Sequence, residues 1–365
     1  MIPILYSSTE QIGTNGLGRL SDCISCEVTE ERNGVFEVVF TYPITGIHYT
    51  DIDTGKIIYV THDASKNPQP FVIYKQSKAI NGIVTYNAHH ISYGLNELVT
   101  LPSSEDLPET ITGTALDVIT ALDERSVDYN PFEIYSDLTD VKTFVLKKPE
   151  TLKRLIVGTT QESVIGLFGG EIEYDNYTVN IWQARGEDRG VTIRYGKDLT
   201  GLNYESNLEN TYAGIVPYWK DSSTIVILSE IYIIAEGAPT GDLRLTPVDL
   251  TSSFQAQPTE SELRDAAEAY LANHPYPWIG SLNITVNFEL LKQSPEYTGI
   301  TALNDILLCD IVSVYFRALD VYVQEKVVKT VYDPLNEKYV SIELGALQTT
   351  LADVITTRVE NDLSN

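Results

Sequence analysis

The first hundred residues alternate between short apolar runs and turn residues, a pattern typical of β-strands. Residues 35–40 are mostly β-branched or aromatic, and Tyr42-Pro43 ends this run. Further apolar runs at 71–75 and 83–88 flank Asn81-Gly82, which favours a hairpin because both turn positions tolerate a positive φ. We therefore predict a β-rich N-terminal domain.

Helical spacing of apolar residues appears at a few places further along the chain. Thr114 is a good N-cap for a helix over 115–122, and Thr259 stands before an acidic first turn and the apolar stripe of a second helix. Residues 150–157 and 161–168 predict two shorter helices. Residues 171–182 alternate around Asp175-Asn176 and predict a β-hairpin.

Two distant segments share a layout. Residues 71–88 can be overlaid without gaps on 327–344, apolar on apolar, and 56–60 has the pattern of 310–314. Because identities are few, a chance match of two hairpins is the alternative. A true repeat predicts two similar small β-barrels, the second interrupted by the helix after Thr259. Three such chains in a ring would present six similar units.

Charge narrows the possible partners. Lys+Arg is 25 against Asp+Glu 51, a net charge of −26, which argues against groove-reading of nucleic acid and against docking on anionic lipid. DNA could still pass through an acidic channel without sticking, although the acids could equally serve only to keep the outer surface soluble. We see no run of about 18 apolar residues, so we expect no membrane span. We also see no signal-peptide pattern, and we expect synthesis in the host cytoplasm.

Candidate chemistry is sparse. Cys23 and Cys26 have redox or metal spacing but lack a second pair of ligands, and adjacent His89 and His90 would point to opposite faces of a strand. Glycoside hydrolysis needs a pair of carboxylates, but candidates such as Glu171 and Glu173 are inevitable in a chain with 51 acidic residues, so they carry almost no signal. We therefore predict no catalytic, cofactor-binding or metal-binding residues, no cofactor and no enzymatic activity.

Aromatic residues leave one alternative function open, a carbohydrate- or receptor-binding module. Tyr174, Tyr177 and Trp182 lie close together in the predicted hairpin and could stack on sugars. A third possibility is a cell-wall hydrolase with Glu171 or Glu173 as the acid.

Several ordered motifs carry a resemblance to a known family. They include ERNGVFEVVF, QPFVIY, YNAHHISY, GEIEYDN, RYGKDLTGL, VPY and KTVYDPL, in residues 31–40, 69–74, 86–93, 170–176, 194–202, 216–218 and 329–335. Over nearly its whole length the chain resembles the N-terminal hub region of the prophage tail endopeptidases, or tail-associated lysins, of siphophages of Gram-positive bacteria.

The resemblance implies a virion-tail protein, a gp27-like baseplate hub of the α+β, β-rich class. Such a hub has two similar tube-forming β-barrel domains with inserted mixed α/β domains, and forms a homotrimer with pseudo-sixfold symmetry at the distal end of the tail tube. The implied partners are the distal tail protein ring, the tape-measure protein, tail tip, fibre or lysin proteins, and DNA in transit. The family's lytic activity belongs to a C-terminal domain that we do not find in this chain.

The resemblance and the repeat together suggest domain bounds and interface strands. The expected domains are a first barrel at 1–100, a mixed domain at 101–198, a second barrel in two parts at 199–236 and 300–348, an inserted segment at 237–299 and a tail at 349–365. The residues expected on inter-subunit tube strands are Phe71, Ile73, Ile83, Val84, Val327, Val328, Tyr339 and Val340.

Overall fold

A computed structural model describes residues 1–78, 81–103, 108–194, 201–207, 281–287, 306–316 and 321–345, and also 211–272 except 222, 240, 242 and 255. Contacts divide the chain into two compact units. The first unit is Met1–Asn203 with Ile284–Asn365, and the second unit is Tyr204–Asn283. The predicted bounds of 199–236 and 237–299 differ from this division.

The described residues are mostly β-structure. The strands are β1 Ile4–Tyr6, β2 Gly18–Arg19, β3 Ser25–Glu31, β4 Phe36–Pro43, β5 Ile57–Thr61, β6 Pro68–Lys78, β7 Ile83–His90, β8 Val99–Thr100, β9 Glu109–Gly113, β10 Glu133–Ser136, β11 Lys142–Leu146, β12 Glu150–Thr151, β13 Glu171–Asp175, β14 Thr178–Trp182, β15 Asp188–Arg194, β16 Gly201–Asn207, β17 Gly214–Lys220, β18 Ile225–Ile227, β19 Ile233–Ile234, β20 Leu245–Asp249, β21 Ser281–Asn287, β22 Ile311–Phe316, β23 Val321–Asp333 and β24 Lys338–Gly345. The α-helices are α1 Ala115–Asp123, α2 Leu152–Ile156, α3 Val164–Phe168 and α4 Glu260–Ala272, and 3-10 turns cover Thr9–Gln11, Ile91–Asn96 and Thr251–Ser253.

A large sheet organises the first unit. Its strands follow the order β16-β21-β24-β23-β3-β4-β7-β6-β5-β1-β2, with β22 on β23 and β15 on β22. Along β7 every second side chain is buried, and the same alternation holds along β4. This period of two turns one face of the sheet into the core, as alternating apolar positions predict.

The mixed region packs on that core with three short helices. Thr114 accepts a hydrogen bond from the Asp117 backbone N–H, and the Asp117 carboxylate accepts from Thr114 in return, so a capping box starts α1 as predicted. The predicted hairpin forms as β13 and β14. Residues 150–157 begin not as helix but as β12, which pairs with β8, because the backbone there completes a small sheet before α2 begins.

The second unit is a small sheet with one helix. Strand β17 pairs antiparallel with β18 and β19 and parallel with β20. Helix α4 follows Thr259 as predicted, and Leu263 and Ala267 pack with Ile215 and Trp219 of β17. Within the described residues, no helix is both long and apolar enough to cross a membrane.

Candidate functional site: a duplicated strand module and its junction

The large sheet contains one six-strand arrangement twice. In the first copy, which we call module 1, the strands follow the order β3-β4-β7-β6-β5-β1. In module 2 they follow the order β16-β21-β24-β23-β22-β15. Each strand of module 1 therefore has a counterpart at the same place in module 2. The pairs of counterparts are β3 and β16, β4 and β21, β7 and β24, β6 and β23, β5 and β22, and β1 and β15. Two unrelated hairpins would not share an order over six strands.

The registers of the two modules also agree. Ile57 of β5 lies opposite Val72 of β6, and Ile311 of β22 lies opposite Lys326 of β23. The separation along the chain between Ile57 and Ile311 equals the separation between Val72 and Lys326. Residues 56–60 and 310–314, which match in the sequence, therefore pair with their neighbouring strands in the same register.

A β-bulge recurs at the same place in both hairpins. It lies between Ile73 and Lys75 of β6, opposite Ala88, and between Val327 and Lys329 of β23, opposite Leu344. Bulges bend and twist a strand locally and are built-in features of a fold. Their recurrence argues that the two modules share a shape as well as a strand order.

The strand register corrects the overlay predicted from the sequence. The gapless overlay put Phe71 on Val327, whereas the register puts Ile73 there. The second hairpin is two residues longer between its bulge and its returning strand, and it has a further irregularity between Val331 and Tyr332. A gapless comparison cannot accommodate those residues.

The turn that enters β5 in module 1 and the turn that enters β22 in module 2 have the same backbone geometry. Gly55 has φ +81° and donates its N–H to the Ile73 carbonyl at 2.7 Å. Cys309 has φ +71° and donates to the Val327 carbonyl at 2.9 Å. A left-handed conformation is easy for glycine and costly for cysteine. Its retention at Cys309 indicates that the module geometry requires it.

The modules differ in two respects. Strand β1 runs antiparallel to β5, whereas β15 runs parallel to β22. The link between the first two strands is also different. In module 1, β3 and β4 are joined by a tight turn with Asn33 at φ +55°, whereas in module 2 the chain leaves β16 and returns in β21 after the second unit.

Modules 1 and 2 are joined edge to edge in the same chain. Strand β3 pairs antiparallel with β23, and Glu31 lies opposite Lys329. The Lys329 ammonium lies 2.9 Å from the Glu31 carboxylate. Arg32 donates its backbone N–H to the Val328 carbonyl at 2.8 Å. We call this pairing the internal junction.

Buried ion pairs lie beside the internal junction. Arg185 donates to Glu30 of β3 at 2.8 Å, with both side chains less than 10 % exposed. Burial alone would lower the pKa of Arg185, but the Glu30 carboxylate outweighs it and keeps the guanidinium charged. Burial would likewise raise the pKa of Glu171, but hydrogen bonds from Lys326 and from the Arg185 backbone lower it. Sequence reasoning missed these pairs because their members are far apart in the chain.

A polar cavity of about 270 Å³ opens beside these pairs. His62, Asp63, Glu173, Arg185, Arg189 and Asp310 are among the side chains that line it. Asp310 accepts from Arg189 at 2.8 Å, and His62 lies 3.2 Å from Asp63. Among the described residues, no group of three or more His, Cys, Asp and Glu side chains is arranged to hold a metal ion. The charged groups named here are thus engaged with one another.

The three aromatic residues predicted to stack on sugars do not form one platform. Tyr174 is buried, and its hydroxyl lies 2.5 Å from the Lys153 ammonium. Tyr177 is half-buried and donates to Thr9 at 2.8 Å, while Trp182 donates its indole N–H to Glu173 at 2.8 Å. Burial leaves Tyr174 no free face for a sugar ring.

The residues predicted on inter-subunit strands lie on the two equivalent hairpins. Most of their side chains pack inside the chain, because Phe71, Ile73, Val84, Val327, Val328 and Tyr339 are buried. Ile83 and Val340 are half-exposed. The six buried side chains are therefore not available for contact with another subunit, whereas the backbone edges and the half-exposed Ile83 and Val340 are.

The other candidate groups have structural surroundings. Cys26 is fully buried, and burial raises the pKa of its thiol well above the ordinary value. His90 is buried and lies 3.3 Å from Gln69, and burial lowers its pKa. His89 stacks between Tyr74 and Tyr93. The two histidines thus point to opposite sides of β7, as the extended strand predicts.

Comparison with solved structures identifies the fold. The chain is similar to the prophage tail protein gp18 of Listeria monocytogenes EGD-e, at 14 % identity over 99 % of both chains and a TM-score of 0.64. A tail protein of Neisseria meningitidis MC58 matches at 10 % identity over 94 % of this chain and 96 % of that one, with a TM-score of 0.58. The 43 kDa tail protein of prophage MuSo2 from Shewanella oneidensis matches at 11 % identity over 89 % and 93 %, with a TM-score of 0.55.

Sequence comparisons give no further assignment. No protein-family model matches the chain, and no curated protein matches it. The structural likeness, at these low identities, concerns the fold. The β-rich chain thus has the fold of these phage and prophage tail proteins over nearly its full length.

Proposed function

We propose that the chain is a structural protein of a phage or prophage tail, a gp27-like baseplate hub that assembles as a homotrimer. In this proposal modules 1 and 2 are the two tube-forming β-barrels. The region between them supplies the mixed α/β domain, and the second unit is the inserted domain. The resemblance in the sequence and the shared fold with tail proteins both support this assignment.

The observation that carries the proposal is the duplicated module. Each chain contains two modules of the same strand order, and the register of β5 on β6 equals that of β22 on β23. Three chains in a closed ring would present six similar units to a sixfold tail tube. A protein with one module per chain would need six copies for the same match. The duplication is therefore what a threefold adaptor on a sixfold tube requires.

The surrounding partners follow from that position. The ring would contact the distal tail protein ring on one face and tip, fibre or lysin proteins on the other, with the tape-measure protein and DNA passing through its channel. A net charge of −26 would repel DNA in such a channel and let it slide without specific binding.

The proposal includes no enzymatic activity. Glu171, a candidate acid, is engaged by Lys326 at 2.6 Å and by Arg32 at 3.6 Å. Glu173 accepts from Trp182. A hydrolytic acid needs a raised pKa, whereas the pKa of Glu171 is lowered. Cell-wall cleavage in the resembled family belongs to a separate domain.

Electron microscopy and mass photometry of the purified chain test the proposal. We expect rings with three-fold symmetry, six similar lobes and three times the 40.7 kDa mass of the chain. Labelling with an antibody fragment should place the protein at the distal end of intact tails. Particles of another symmetry, or labelling along the tail shaft, would contradict the proposal.

A further inference from the structure

One strand edge in module 1 is open at the place where module 2 is covered. In module 2, the outer edge of β23 is occupied twice, by β22 along Val321–Lys326 and by β3 from Lys329 to Tyr332. In module 1, β5 covers the equivalent first stretch of β6. After its bulge, from Lys75 to Lys78, β6 pairs with β7 on one edge, and no described strand pairs with its outer edge.

A second unpaired edge complements it. Strand β3 is the first strand of module 1, and its outer edge forms the internal junction with β23. Strand β16 has the same place in module 2, and among described strands it pairs only with β21. Six strands separate β16 from β6 in the sheet. Within the part of the chain that the structure describes, the outer edge of β16 and the outer edge of β6 after its bulge are thus both unpaired, and they are the counterparts of the two edges that meet in the internal junction.

We propose that β16 of one copy pairs with the Lys75–Lys78 edge of β6 in the next copy, repeating the internal junction between chains. This inference rests on the proposed ring and names the strands that close it. A head-to-tail contact of this kind forms a closed ring when its rotation closes, and with three copies it forms the proposed trimer. Strand addition to an open edge supplies main-chain hydrogen bonds and removes an aggregation hazard.

The side chains on the open edge support pairing. Lysines on an edge can serve to prevent strand addition. Lys75, however, is the counterpart of Lys329, which lies at a paired edge and binds Glu31 across it. Lys75 is exposed and has no carboxylate partner among the described residues. Lys75 therefore has the position in module 1 that Lys329 would have in module 2 if β3 were absent.

Backbone direction identifies the residue to change. The Val328 carbonyl faces β3, since it accepts from Arg32. Its counterpart in β6 is Tyr74, and strand alternation directs the N–H of Gln76 to the same open side. Proline at this position removes an outward N–H without removing a bond to β7.

The test compares Gln76→Pro with Gln76→Ala in the full chain. Gln76→Ala keeps the N–H and loses only the side-chain hydrogen bond to Asp53, which is 3.3 Å long. We expect Gln76→Pro to weaken assembly by about tenfold or more and Gln76→Ala to leave it unchanged, measured by sedimentation. Equal assembly of both variants would overturn the inference.

Hydrogen exchange on the unmodified chain gives an independent measurement, which holds even if the proline variant misfolds. We expect the amides of Gln76 and of β16 to become protected together on assembly. A trimer in which these amides stay unprotected overturns the strand pairing and leaves the proposed function standing. A chain that stays monomeric, also when mixed with its tail partners, overturns both.

Discussion

Replacing Arg185 by methionine tests the buried pair beside the internal junction. Arg185 binds the Glu30 carboxylate at 2.8 Å and the Ile172 carbonyl at 3.1 Å. Methionine keeps most of the apolar volume and leaves Glu30, which is only 3 % exposed, without its nearest cation. Removing one partner of a buried pair costs about 3–5 kcal/mol, because the other charge stays in a poorly solvated place. We expect the free energy of unfolding to fall by that amount.

Urea unfolding followed by circular dichroism measures the change by linear extrapolation. Lys147→Met is the matched control in the same unit, because Lys147 makes its 2.9 Å pair with Glu162 where both side chains are mostly exposed. That change should cost no more than about 1 kcal/mol.

A double variant separates charge burial from lost packing. Glu30→Gln with Arg185→Met removes the uncompensated charge, so we expect it to be more stable than Arg185→Met alone by at least about 1 kcal/mol. A loss below about 1 kcal/mol for Arg185→Met, or a double variant no more stable than the single one, would refute the reasoning.

Three further predictions concern local features. Burial lowers the pKa of Lys153 to about 7, so the folded chain releases a proton that the unfolded chain keeps up to about pH 10. Stability should therefore rise with pH between about 7 and 10 by at most about 1.4 kcal/mol per unit, and Lys153→Met should abolish that rise in denaturation curves taken across this range. Gly55→Ala should cost about 1 kcal/mol from its positive φ alone, since the added methyl meets no atom within 4 Å; thermal unfolding would contradict this if the midpoint did not fall. Thr114→Ala should cost about 1 kcal/mol through loss of the cap, and Thr114→Ser, measured in parallel by urea unfolding, should restore most of it.

Local features of the fold were predictable where the sequence alone determines them. Thr114 caps α1, and Asn81-Gly82 lies between β6 and β7 as expected, because caps and tight turns depend on a few adjacent residues. The repeat was detectable from apolar alternation, but its register was not. The second hairpin is two residues longer after its bulge, which shifts the match by two residues, and alternation alone does not reveal extra residues within a hairpin.

Long-range features were beyond the sequence pattern. The pair of Glu30 and Arg185 joins positions 155 residues apart, and no spacing rule connects them. Tyr174 was a candidate for sugar stacking because it is aromatic, but the sequence does not show which face of its hairpin another layer covers, and the side chain is buried. The second unit starts at Tyr204, within β16, so no linker in the sequence marks where it begins.

The place of the second unit has an evolutionary consequence. Its two ends lie within the neighbouring strands β16 and β21, at the place where module 1 has only a tight turn at Asn33. Adjacent strands can be connected by any inserted domain whose own two ends lie close together. A domain inserted at this place could therefore differ in size or be absent without any change in the pairing of the other strands, provided that its two ends lie close together.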